Sequence, residues 1–153
     1  MIDDLCAIIE NKKINSSIIE NTIHNLFPDS KLKVEKNENN LYFYDFCDGD
    51  RIRVIFVETY PFVMKYDSVL LKKTINYKQE LIFEFNKDDD DLEWCHNLVF
   101  EICRYIYMNY NCNLFLYFDS GFDICQLDQG GILWSDSCDF IDRNSNLLGG
   151  LDN

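Results

Sequence analysis

The sequence predicts an α+β fold: a mainly antiparallel sheet of about six to seven strands, two N-terminal helices, and one long helix near residues 91–110 packed on the sheet. Three observations predict it. Apolar and polar residues alternate along stretches such as Leu41–Cys47 and Lys78–Asn86, which is the period of a half-buried strand. The turn pairs Asp48-Gly49 and Ser120-Gly121 sit between such stretches at hairpin spacing. One stretch alone, Leu92–Tyr110, repeats its apolar residues at steps of three and four over a helical length.

Each element follows in order. Residues 2 to 11 read as a short helix with Leu5, Ile8 and Ile9 inward. A second helix opens with Ser17-Ile18-Ile19-Glu20, a capping box in which hydroxyl and carboxylate each satisfy an orphan amide. Ile19, Ile23, Leu26 and Phe27 then recur at helical spacing, and Pro28 stops the helix. Lys31–Lys36 is a short strand ended by the Asn37-Glu38-Asn39-Asn40 turn.

Leu41–Cys47 and Arg51–Glu58 form a hairpin around Asp48-Gly49. A two-residue turn there pairs Phe46 with Arg51, Tyr44 with Arg53 and Tyr42 with Ile55. Leu41, Phe43, Ile52, Val54 and Phe56 are then the core face, and the Tyr and Arg side chains form a solvent face with cation–π contacts. In residues 59–77 Pro61 breaks any ladder, and Val69-Leu70-Leu71 fits strand or helix. Lys78–Asn86 is a strand with Leu81, Phe83 and Phe85 on one side and Glu80 and Glu84 on the other.

Asp88–Asp91 lack the spacing of a calcium loop and favour the positive end of the helix that follows. In that helix Leu92, Cys95, Val99, Ile102 and Ile106 form a stripe opposite Glu93, Asn97, Glu101 and Arg104. Asn113–Phe118 and Phe122–Leu127 form the second hairpin, pairing Phe118 with Asp123, Leu116 with Cys125 and Leu114 with Leu127. Asp128-Gln129-Gly130-Gly131 turns the chain into Ile132-Leu133-Trp134. At 153 residues the chain reads as a single domain, 1–153, with 135–153 as a loosely packed tail.

No catalytic constellation is visible. Cys95 and His96 are adjacent, but successive helical residues point about 100° apart, so they form no dyad; His96 and His24 both read as surface residues. The seven cysteines are odd in number, scattered and without C-x-x-C, the pattern of free buried thiols in a reducing compartment. No phosphate-binding Gly loop, nucleophile elbow or H-E-x-x-H motif occurs, so neither an enzymatic activity nor a cofactor or metal is expected. The apolar runs, such as Val54–Val57 and Leu114–Phe118, fall far short of the roughly 20 residues of a membrane helix, and no secretory signal is visible. The expected location is cytoplasmic, with no membrane partner.

Charge is distributed unevenly. Up to Phe83, thirteen acidic residues face eleven basic ones, a net of −2; from Glu84 onward fourteen face three, a net of −11. Such a field repels nucleic acid and speeds encounter with a basic partner. The second hairpin adds an apolar surface. Its buried side carries Leu114, Leu116, Cys125 and Leu127, while Phe115, Tyr117, Phe122 and Ile124 lie opposite, rimmed by Asp119 and Gln126. Either a helix covers this second face, or it is an exposed aromatic patch with an acidic rim, the composition of a protein-binding hot spot.

The series Glu80-Leu81-Ile82-Phe83-Glu84-Phe85-Asn86-Lys87, an acidic helix start, Asn113-Leu114-Phe115-Leu116-Tyr117-Phe118-Asp119-Ser120-Gly121 and Asp128-Gln129-Gly130-Gly131-Ile132-Leu133 resembles the Sit-type immunity proteins of bacterial polymorphic toxin systems. The resemblance covers residues 78–135 and extends more generally to immunity proteins of contact-dependent inhibition systems. It implies a non-enzymatic inhibitor that binds and neutralises a cognate toxin domain. With the acidity, it points to a basic nuclease whose active site is occluded, with Tyr117, Asp119, Phe122, Asp123, Asp128, Trp134 and Asp136 as contact residues. An acidic adaptor or structural interaction domain without a toxin partner is the alternative.

Overall fold

The computed structural model describes residues 4–46, 52–85 and 92–135. The Asp48-Gly49 turn, Asp88–Asp91 and the tail beyond Ser135, Asp136 included, lie outside the described residues. The elements run β1 (Leu5–Ile9), α1 (Ser16–Leu26), β2 (Leu32–Lys36), β3 (Leu41–Phe46), β4 (Ile52–Val57), β5 (Met64–Ser68), β6 (Lys73–Tyr77), β7 (Gln79–Phe85), α2 (Leu92–Tyr110), β8 (Leu114–Phe118), β9 (Asp123–Asp128) and β10 (Gly131–Trp134). Eight strands make one antiparallel sheet in the order β10-β9-β8-β1-β7-β4-β3-β2, and β5 pairs with β6 in a separate two-stranded sheet. α1 and α2 close the main core on one face of the large sheet, and the β5–β6 hairpin covers part of the other face over a smaller core. No described helix is long and apolar enough to cross a membrane.

The expected N-terminal helix is instead the strand β1, paired on both sides with β7 and β8. All five of its residues are 4% exposed or less. Leu5, Ala7 and Ile9 enter the helix-side core, Cys6 and Ile8 the hairpin-side core. A short unbroken apolar run satisfies helical spacing and a two-sided buried strand equally well, and here burial on both faces decides. One N-terminal helix therefore remains, not two. Its cap is Asn15, whose side chain accepts from the Ile18 amide at 3.2 Å, so the helix opens ahead of the expected Ser17 box.

The first hairpin pairs Tyr42 with Phe56, Tyr44 with Val54 and Asp45 with Arg53, one residue out from the register of a two-residue turn. The one-residue slip exchanges the faces of β3, while Ile52, Val54 and Phe56 of β4 face the core as expected. Tyr44 is fully buried in the main core and Tyr42 packs against it, whereas Phe43 turns out beneath Arg53, whose guanidinium lies 5.5 Å from its ring. Arg53 also pairs with Asp45 at 2.7 Å, so the arginine contact on the open face stands with a different aromatic partner.

Residues 59–77, open between strand and helix, fold as a loop and the β5–β6 hairpin. Together with β1, this hairpin raises the strand count above expectation. α2 spans the expected residues, and the chain leaves it through Asn111 at φ 52°, the left-handed stop that Asn tolerates. The last hairpin keeps the expected pairs Leu114–Leu127 and Leu116–Cys125. A bulge at Leu116/Tyr117 then sets Tyr117 opposite Asp123. That extra residue moves Asp123 from the helix-covered face to the hairpin-covered one.

Candidate functional site

The chemistry-bearing side chains of the described residues gather beneath the β5–β6 hairpin. Glu80 on β7 is 3% exposed, and both of its carboxylate oxygens accept tyrosine hydroxyls, Oε1 from Tyr60 and Oε2 from Tyr117. Burial raises its carboxyl above the ordinary range; the two tyrosine hydroxyls oppose that rise, and Asp119 adds to it. Asp123 accepts from the Tyr66 hydroxyl, from Ser68 Oγ at 2.9 Å and from the Leu70 amide at 2.8 Å. Tyr66 also lies over Tyr117 and Phe115, with ring centroids 4.3 and 5.7 Å away.

These contacts decide between the two readings of the second hairpin face. Phe115 is fully buried, Tyr117 is 7% exposed, and Ile124 sits in the helix-side core. The face is covered, by a β-hairpin in place of a helix. An open aromatic patch is therefore excluded on that face, and Tyr117 and Asp123 are interior residues unavailable to a partner. Sequence reasoning assigned Glu80 to the non-core side and missed its tyrosine partners. The signal was the series Tyr60, Tyr66 and Tyr77, apolar rings with polar tips that suit a half-polar interior.

The cluster holds the hairpin in place. Each carboxylate is already occupied by donors from the covering segment. Cys6, Cys95, Cys103, Cys112 and Cys125 are buried; burial pushes the Cys112 thiol up to about 11 and raises Cys6 and Cys103 as well, away from the thiolate a nucleophile needs. Among the described residues no group of three or more His, Cys, Asp or Glu is placed to hold a metal. His24 is exposed as expected, but His96 is buried, edge-on to Phe85 at 5.3 Å and Phe118 at 6.2 Å.

The remaining expected contact residues fall at two ends of the sheet. Asp119 and Phe122 are exposed in the β8–β9 turn, Phe122 by 61%. Val69, 83% exposed, precedes Leu70, whose amide is held by Asp123 beside Phe122, so two exposed apolar side chains share this end. Trp134 ends β10 at the same end but packs inward, 6.0 Å from the Phe100 ring. Asp128 closes the far end of β9, about 17 Å away at strand rise, where its side chain accepts from the Gly130 amide. It is a turn residue, not a neighbour of Asp119.

Antiparallel pairing sets Leu5, Phe85, Ile52, Phe118, Asp123 and Trp134 at that same Asp119 end. Among the described residues, the segments attached there carry the acids Asp4 and Asp119. Compared with protein-family models, curated proteins and solved structures, the chain matches none.

Proposed function

We propose that this chain is a non-enzymatic binding protein that neutralises a basic toxin domain, a nuclease in the first instance, by covering its active site. The observation that carries the reading is the β8–β9 turn: at one end of the sheet it exposes Asp119, in the half of the sequence that holds a net −11 of the total −13. That end also presents Phe122 and Val69 to solvent. Net negative charge steers a basic surface into encounter, and the apolar side chains slow its departure. The resemblance of residues 78–135 to immunity proteins supports the same role. The contact surface is accordingly the sheet end with Asp119 and Phe122, in place of the hairpin face.

Affinity capture from cells of the source strain, followed by kinetics on the captured partner, tests this. The expected partner is a basic toxin domain whose association rate falls steeply with salt, as steering by charge requires. Phe122→Ser is expected to speed dissociation by about 30-fold, the equivalent of an aromatic hot spot of about 2 kcal/mol, with little effect on association. Capture of only neutral housekeeping proteins with salt-insensitive association overturns the reading in favour of an adaptor.

A further inference from the structure

The opposite end of the sheet has the opposite character. A cleft of about 460 Å³ opens there between the segment after β1, the loop before β5 and the β6–β7 junction. Lys12, Lys13 and Lys78 line it, on a chain of net charge −13. Lys12 Nζ is engaged with the Tyr110 carbonyl at 3.0 Å, but neither Lys13 nor Lys78 makes an ion pair among the described residues. Glu10, the one acid in the lining, accepts from Gln126 Nε2 at 3.2 Å. Behind the cations lie Tyr77, 8% exposed, and Val63, 54% exposed.

One buried side chain holds the cleft in shape. Gln79, 5% exposed, accepts from the Ile14 amide at 2.9 Å and donates to the carbonyls of Ile14 and Glu58, each at 2.7 Å. It thereby ties the segment after β1 and the loop before β5, which form two of the cleft's walls, to the floor. The Tyr60 amide donates to the Lys78 carbonyl at 2.8 Å and fixes the same loop again. Walls pinned before binding lower the cost of ordering a ligand, and a cationic cleft with apolar walls concentrates an anion.

We propose that this cleft binds a small organic anion, its charged head between Lys13 and Lys78 and its apolar body against Val63 and Tyr77. The site stands apart from the Asp119 end and does not depend on the toxin-binding reading.

The experiment titrates the full-length ¹⁵N-labelled chain with phenyl phosphate, benzoate and inorganic phosphate. At least one of the two aromatic anions is expected to give saturable shifts at the Val63, Asn76, Tyr77 and Lys78 amides, and the tighter of the two identifies the head group. Lys13→Gln with Lys78→Gln is expected to weaken that binding about ten-fold or more, as loss of charge-assisted bonds requires. Lys33→Gln with Lys36→Gln, an equal loss of charge on β2, is expected to change it by less than about two-fold. Three results each overturn the proposal: no saturable shift with either aromatic anion, equal weakening in both double variants, or inorganic phosphate binding as tightly, which makes the cleft a host for an adventitious ion only.

Discussion

Glu80 sits among hydroxyls with no cation paired to it among the described residues, and its titration is where a single side chain governs behaviour. Its carboxyl is raised in the folded chain, mainly by burial. The folded state therefore holds that proton more tightly than the unfolded chain does. The stability this contributes is complete below the unfolded pKa, near 4.5, and is lost as pH rises through the folded value. Urea denaturation from about pH 4 to pH 8 is expected to show stability declining as Glu80 ionises. Glu80→Gln keeps one acceptor oxygen, leaves the other tyrosine hydroxyl to accept from the amide NH2, and cannot ionise, so the decline flattens; an unchanged slope assigns it elsewhere. None of this was legible in the sequence, because alternation along Lys78–Asn86 gives the side of the sheet and not what covers it. Backbone conformation makes a second point at this scale. Gly121 has φ 101°, and a Cβ there meets nothing within 4 Å. Gly121→Ala is thus expected to cost about 1 kcal/mol through backbone strain alone, read as a lower denaturation midpoint at constant slope.

The β5–β6 hairpin is the element whose attachment is most localised. Beyond its ring contacts it is fixed through Asp123, which receives Tyr66, Ser68 and Leu70, and through the Tyr60–Glu80 bond just before it. Asp123→Ala leaves these donors without their acceptor, at about 2–4 kcal/mol. Amide exchange across β5 and β6 is expected to accelerate while β1 and β7 stay protected, since the hairpin opens as its own unit. Uniform loss of protection instead means that Asp123 supports the whole sheet. Elements with a long single period were legible: α2 matches the expected span, and β7 presents Leu81, Phe83 and Phe85 inward. Elements defined by a partner were not. β1 is short and apolar on both sides, so its residues carry no period, and the bulge that turns Asp123 over leaves no mark in composition. The slipped β3–β4 register arose from reading Asp48-Gly49 as the whole turn; the observed pairing of Asp45 with Arg53 is one residue out from the pairing such a turn sets.

At the scale of the molecule, a formal charge of −13 works against compaction, because like charges repel more when gathered. Thermal stability is expected to rise by several degrees between about 0.01 and 0.5 M NaCl as the Debye length falls from about 30 to under 5 Å. A flat or falling response shows that the acids are already balanced within the fold. The fold class and the acidic imbalance were legible from the sequence. The strand order was not, because the order β8-β1-β7 depends on recognising β1.

The seat of β1 also constrains how the chain is made. Residues 5–9 leave the ribosome roughly a hundred residues before 114–118, one of the two strands that flank them. At about 5–20 residues per second, Leu-Cys-Ala-Ile-Ile waits some seconds with both faces bare. Until β8 emerges the nascent sheet ends in an apolar edge open to mispairing with another chain.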